Sequence, residues 1–181
     1  MTCRDALLRT LASIPTNRYV LVLGCTDGTY TAPLLRLGFP VHACSPSKDA
    51  VRTTRTAIAD LMADPADTAE CVQPCTPPAL DDYPDSAFDW VVAPHLDAVY
   101  TSASADPAFD AVQRILKPGG WALLGITPAT SANASSTNAW PTTSDTLVAR
   151  CEAHDLLSST APQINDDASL EHLYGLFQRD R

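Results

Sequence analysis

The feature that most constrains this chain is the stretch Val20-Leu21-Val22-Leu23-Gly24-Cys25-Thr26-Asp27-Gly28, in which four apolar residues run straight into a turn bounded by glycines. An unbroken apolar run of that length is the pattern of a strand covered on both faces, as parallel strands are in an α/β sheet. The two glycines lack a Cβ, so the backbone can bend sharply there and another group can approach it closely. A central strand ending in a ligand turn is the expectation from which the rest of the reading follows.

The flanking segments alternate in the way such a sheet requires. Leu7, Leu11 and Ile14 fall at helical spacing within residues 1–15, giving an amphipathic helix that ends near Pro15. After the turn, Thr29 to Leu37 read as a short helix starting no earlier than about Tyr30, because Pro33 is tolerated only in a first turn. Phe39 to Cys44 form a second strand. Ser47 caps a helix carrying Val51, Ile58 and Met62 on one face and closed by Pro65. Glu70 to Cys75 read as a weaker third strand and Phe88 to Ala93 as a strong fourth. Asp106 and Pro107 then supply an N-cap and first-turn proline for a helix with Phe109, Val112 and Leu116 on its apolar face. Lys117-Pro118-Gly119-Gly120 reads as a type II turn leading into a fifth strand, Trp121 to Ile126. Residues 127–143, rich in Ser, Thr and Ala, read as a mobile loop. A helix near Ser144 to Ala153 and strands near Leu156 to Ile164 and Leu170 to Gln178 finish the chain. Asn165 to Ser169 leave no room for a helix, so the last two strands form an antiparallel hairpin.

At 181 residues and 45% hydrophobic content, one well-buried core and a single domain over 1–181 are expected. A net charge of -9, with only Lys48 and Lys117 as ammonium groups, opposes a nucleic-acid-binding surface, which needs clustered cations. No apolar run is long enough for a spanning helix or a signal peptide, so no membrane partner and a cytoplasmic location are expected. The 6 cysteines are then read as free thiols rather than a disulfide framework.

Three segments taken together resemble the class I S-adenosylmethionine-dependent methyltransferases over nearly the whole chain: Leu23-Gly24-Cys25-Thr26-Asp27-Gly28, Ser86-Ala87-Phe88-Asp89-Trp90-Val91-Val92 and Arg114-Ile115-Leu116-Lys117-Pro118-Gly119-Gly120. Tyr174-Gly175-Leu176-Phe177 matches the family's last strand. The resemblance implies a Rossmann-like methyltransferase fold: a seven-stranded, mostly parallel sheet with the last strand antiparallel and helices on both faces. It also implies S-adenosylmethionine as cofactor, held by Gly24, Cys25, Thr26, Asp27 and Gly28 at the turn, Ser45 and Pro46 on the ribose side, Cys75 and Thr76 on the adenine side, and Ala93 on the methyl-transfer side. Val22, Ser45 and Cys75 stand where the family usually has acids, and Thr26 where it has a glycine. Asp27, Asp49 and Asp81 are the carboxylates that could substitute.

Methyl transfer from a sulfonium requires aligned donor and acceptor, plus a base when the acceptor loses a proton. His95 is the candidate base, at the ligand edge after the fourth strand with Asp97 and Tyr100 following; the alternative is a loop histidine without a role. Tyr30 could cover the methyl group or simply pack at a helix start. His42 lies in a strand pattern and reads as structural. Ala93-Pro94-His95-Leu96 is not a motif for methylating exocyclic amines of bases, and Gly24 to Thr29 do not fit the GxGxxG of dinucleotide enzymes. Cys25, Cys44 and Cys75 end three neighbouring strands and form either a thiol-rich rim or separate small core residues; no metal site is assigned. The reading is methyl transfer to a small molecule, with a transfer-incompetent methyltransferase-like binding module as the alternative. Acceptor identity and oligomeric state stay open.

Overall fold

The computed structural model of the chain describes residues 3–64, 66–76, 80–100, 105–127, 140, 143–159, 163–167 and 170–181. Helix α1 (Cys3–Leu11) buries Leu7 and Leu11 and is followed by β1 (Val20–Leu23), every residue of which is buried, as its apolar run requires. Helix α2 (Thr31–Arg36) carries Pro33 in its first turn and precedes β2 (Val41–Ser45). In α3 (Lys48–Ile58) the Ser47 side chain accepts from the Ala50 amide, and Val51, Thr54 and Ile58 are buried. A short 3-10 turn at Ala59–Leu61 follows; the proposed stop Pro65 lies outside the described residues.

The third strand is shorter than its sequence pattern. Residues Asp67–Cys71 form helix α4, which takes up the start of the expected strand, and only Val72–Pro74 form β3, where Pro74 lacks an N–H for the ladder. Strand β4 (Phe88–Ala93) is buried throughout. It runs into a four-residue helix, α5 (Leu96–Val99), then α6 (Ala105–Ile115), where Asp106 sits inside the first turn rather than capping it. Strand β5 (Leu116–Ile126) contains Lys117 to Gly120 as an excursion without ladder partners, in which Gly119 has φ +74°, the conformation that the expected type II turn requires at that position. The register jumps from Phe88↔Leu116 to Trp90↔Trp121 across it. The buried Asp89 carboxylate explains why it holds: it accepts from Lys117 Nζ at 2.8 Å, from the Tyr19 amide at 3.0 Å and from Arg18 at 3.0 Å. Gly120 is required there, since a Cβ would lie 2.8 Å from the Lys117 carbonyl.

Helix α7 (Ser144–Glu152) opens on a reciprocal cap between Thr143 and Thr146. The single strand expected over Leu156 to Ile164 is two, β6 (Leu156–Ser158) and β7 (Gln163–Asp167), both antiparallel to β8 (Leu170–Arg179) along the same edge. The order is β3-β2-β1-β4-β5-β8-β6, with β7 also on β8, so the seventh position of the sheet is an interrupted strand. Strands β1 to β5 are parallel and β8 runs antiparallel to β5. One face packs against α5, α6 and α7 through Phe109, Ile115 and Leu147; the other packs against α1, α2 and α3 through Leu11, Leu34 and Ile58. Most of the segment 127–143 lies outside the described residues; Trp140 within it meets the Phe109 ring at 6.1 Å.

Candidate functional site

The order of strands fixes where a ligand can sit. From β1 the chain moves outward to β2 and β3, then returns to β4 on the other side of β1 and moves outward again to β5. The crevice outside the carboxyl ends of β1 and β4, where the direction reverses, is the place open α/β sheets bind ligands. Val22 pairs with Val92 across those strands, so the residues that follow, Gly24 and His95, emerge side by side.

The glycine turn is held from three directions. The amides of Gly24 and Cys25 both donate to the Cys44 carbonyl at 2.8 and 2.9 Å, tying the turn to the end of β2. Gly24 has φ +82°, and a Cβ there would lie 2.4 Å from Val99 Cγ2 and 3.9 Å from the His95 carbonyl oxygen. Gly28 has φ +86°, and its Cβ would lie 2.9 Å from that of Ala57 on α3. Both glycines are therefore demanded by the backbone conformation and by close packing of α5 and α3 on the turn. Thr26, in the position of the family's middle glycine, is exposed and lies outside the left-handed region, so its Cβ strains nothing. Asp27 Oδ1 accepts from the Thr29 amide at 3.0 Å and the Thr26 hydroxyl at 3.2 Å, an Asx turn. Those bonds from Thr29, and then Thr26, hold its carboxyl below the usual range, leaving an exposed anion at the turn. Asp49 instead pairs with Arg52 at 2.9 Å, and Asp81 is exposed.

At the end of β2, Ser45 is buried and its Oγ accepts from the Ser47 amide at 3.3 Å; Pro46 is exposed. Cys75 is buried while Thr76 beside it is exposed, and Ala93 is fully buried beneath the crevice. The three rim cysteines do not form one cluster. Cys44 and Cys75 belong to the face covered by α6, and Cys25 belongs with Cys71 to the opposite face. Contact with the Cys75 thiol, then burial, pushes the Cys44 thiol up; burial does the same to Cys25, and to Cys71, which reaches about 11. Among the described residues no group of three or more His, Cys, Asp and Glu could hold a metal ion.

His95 is half-buried at the start of α5, and its carbonyl accepts from the Ala98 and Val99 amides. Burial lowers its pKa, partly offset by the Asp97 carboxylate, so the imidazole is neutral at pH 7. Tyr30 packs against the core on the α2 face, whereas the helix that His95 opens packs on the other face of the sheet.

Two features of this edge go beyond the sequence reading, which named Asp97 only as following His95. Val99, an ordinary apolar residue four beyond His95, is what covers Gly24. Asp97 Oδ1 is buried with no hydrogen-bond partner among the described residues, an orphaned acceptor that an apolar-pattern reading has no way to see. That atom tests whether the implied cofactor fits. S-adenosylmethionine carries a sulfonium and an ammonium, and a buried carboxylate oxygen lacking a donor, together with the ionised Asp27, suits a cationic ligand. The residues present fit the group, although Ser45 at the end of β2 offers a hydroxyl and no carboxylate.

Comparisons with known proteins agree with this geometry. A sequence family described as methyltransferase domain matches residues 21–124. The 1,6-didemethyltoxoflavin-N1-methyltransferase of Burkholderia thailandensis, solved with bound 1,6-didemethyltoxoflavin and S-adenosylhomocysteine, superposes with a TM-score of 0.73 at 16% identity over 99% of this chain and 77% of that one. The N-methyltransferase NodS of Bradyrhizobium japonicum gives 0.73 at 16% identity over 98% and 94%. The [4+2]-cyclase SpnF gives 0.69 at 15% identity over 97% and 80%. No curated protein matches the sequence.

Proposed function

The chain belongs to the methyltransferase-domain family of class I, S-adenosylmethionine-dependent enzymes, and from that premise we propose that it methylates a small-molecule acceptor. The observation that carries the proposal is the meeting of the β1 turn and the β4 end: Gly24 against Val99 and the His95 carbonyl, with the orphaned Asp97 oxygen on the same short helix. The fold neighbour solved with bound 1,6-didemethyltoxoflavin supports the acceptor class, as does the net charge of -9, which opposes nucleic acid.

When bound, S-adenosylmethionine supplies an electrophilic methyl group on a sulfonium. The Gly24–Gly28 turn would let the backbone lie against it, and Asp27 and Asp97 would accept from its ammonium. Ser45 with Pro46 would hold the ribose, and Cys75 with Thr76 the adenine. Ala93, buried at the end of β4, forms the floor under the methyl-transfer side. His95, neutral at pH 7, takes the proton that an oxygen or nitrogen acceptor releases as its new bond to carbon forms. Tyr30 packs beside the turn on the α2 layer and closes the site from that side.

No described helix is long and apolar enough to cross a membrane. Free thiols at Cys25, Cys44, Cys71, Cys75 and Cys151 support a reducing, cytoplasmic setting. The test is S-adenosylhomocysteine release from S-adenosylmethionine over a panel of small oxygen, nitrogen and carbon nucleophiles. Acceptor-dependent release supports the proposal. Binding of S-adenosylhomocysteine without release on any acceptor supports instead a module that binds without transferring, a reading favoured by the loss of carboxylates at Ser45 and Cys75.

A further inference from the structure

The second strand ends differently from a ribose-gripping site, and the difference extends outward along α3. A carboxylate at that position accepts from both ribose hydroxyls. Ser45 carries no charge, its Oγ already accepts from the Ser47 amide, and unlike a carboxylate it can donate its O–H to a ligand. Immediately beyond, Lys48, Arg52 and Arg55 line one side of a cleft of about 370 Å³, with Val51, Thr56 and Pro74 as its other walls and no acid among them. These are three of the 12 cations of a chain whose net charge is -9, gathered on one helix face at one-turn spacing.

The cleft is partly preorganised. Arg55 is fixed against the sheet edge by its bond to the Val72 carbonyl at 2.9 Å and by a second to the Ala69 carbonyl at 3.4 Å. Arg52 is 78% exposed and its only acidic partner among the described residues, Asp49, is 84% exposed, so an anion can replace or share that pair at small cost. Lys48 opens the helix directly after the Ser47 cap, at the end of the cleft nearest the ribose position. Pro74, on the opposite wall, precedes the Cys75-Thr76 pair on the adenine side. In nucleotide-binding α/β sheets an acid after the second strand selects an unmodified ribose, and cations there accommodate a phosphate on it.

We propose that this cleft is a phosphate-monoester subsite that accepts an adenine nucleotide phosphorylated on its ribose, reached from the same crevice as the methyl donor. The inference rests on the crevice being the ligand edge, not on methyl transfer itself. It is tested by calorimetric titration with adenosine 2′,5′-bisphosphate, adenosine 5′-monophosphate and S-adenosylhomocysteine, on the wild type and on Lys48→Gln/Arg52→Gln. The expected result is that the bisphosphate binds about tenfold or more tighter than the monophosphate, the scale of one charge-assisted contact. The double variant then loses that preference while its affinity for S-adenosylhomocysteine is unchanged. Equal affinities for the two nucleotides, no binding of the bisphosphate, or a preference that survives the double substitution each overturn the subsite. Binding of S-adenosylhomocysteine with no phosphate preference overturns it and leaves the methyltransferase reading intact. A preference without any binding of S-adenosylhomocysteine upholds the subsite and removes that reading.

Discussion

Val99 Cγ2 stands 2.4 Å from the point where Gly24 would carry a Cβ, so the helix after the fourth strand rests directly on the turn after the first. The contact couples the two halves of the ligand crevice: the turn cannot take a side chain without moving α5, and α5 carries Asp97 and follows His95.

Gly24→Ala is therefore expected to destabilise the protein by about 1–3 kcal/mol, from the left-handed backbone that alanine adopts only under strain together with the Val99 contact. Gly24→Ala/Val99→Ala should recover only part of that loss, because removing the contact leaves φ +82° in place. Denaturant unfolding of both variants checks this, and wild-type stability of Gly24→Ala would show the contact to be unimportant.

Asp89 organises the other end of β4. Burial raises its carboxyl, but Lys117, the Tyr19 amide and Arg18 outweigh that and leave it below the usual range. A carboxyl depressed on folding contributes stability that is present above the unfolded value, about pH 4, and is lost as pH falls through the lower folded value. Asp89→Asn should cost about 2 kcal/mol at pH 7, within the range of charge-assisted hydrogen bonds. The deficit relative to wild type should shrink at lower pH, which urea unfolding across the acid range measures.

His95→Gln should lower the transfer rate about 10²- to 10⁴-fold on an acceptor that releases a proton, the usual weight of a general base. Its affinity for S-adenosylhomocysteine should stay unchanged. Because burial holds the imidazole below its ordinary value, the wild-type rate should be level at neutral pH and fall only below the usual histidine range. A rate unchanged by the substitution removes His95 from the chemistry.

Thiol reactivity gives an independent check on the split between the two faces. Cys25, Cys44, Cys71, Cys75 and Cys151 are all buried, and burial or mutual contact raises Cys25, Cys44, Cys71 and Cys151. Under native conditions at pH 8 these thiols should react with a disulfide reagent only as fast as the protein opens, and added zinc should not shift the melting temperature. Rapid modification of the Cys44–Cys75 pair would contradict their placement.

Much of this arrangement was legible in the residues. The apolar run Val20 to Leu23 announced β1 and Ser47 announced α3, since each depends on local pattern or capping, while the antiparallel last strand followed from the short stretch Asn165 to Ser169 and from the family resemblance at Tyr174 to Phe177. The Lys117 to Gly120 segment was legible as a type II turn, with Gly119 at φ +74°; what was not legible is that it sits as an excursion between Leu116 and Trp121 of one strand, held by Asp89 reaching Lys117 from the neighbouring strand. The single strand expected from Leu156 misread because pairing with β8 is interrupted along its length, which no periodicity records. At the site, the turn and the strand ends were readable by position. Which side of the sheet Cys25 joins, what covers Gly24, and that an Asp97 oxygen is left without a donor are tertiary facts.

Calorimetric titration of the protein with S-adenosylhomocysteine, paired with Asp97→Asn, tests the central claim most directly. The account predicts saturable binding at one site, weakened about tenfold or more when the orphaned carboxylate is neutralised. An absence of heat and of any thermal shift at millimolar S-adenosylhomocysteine and S-adenosylmethionine alike would contradict it.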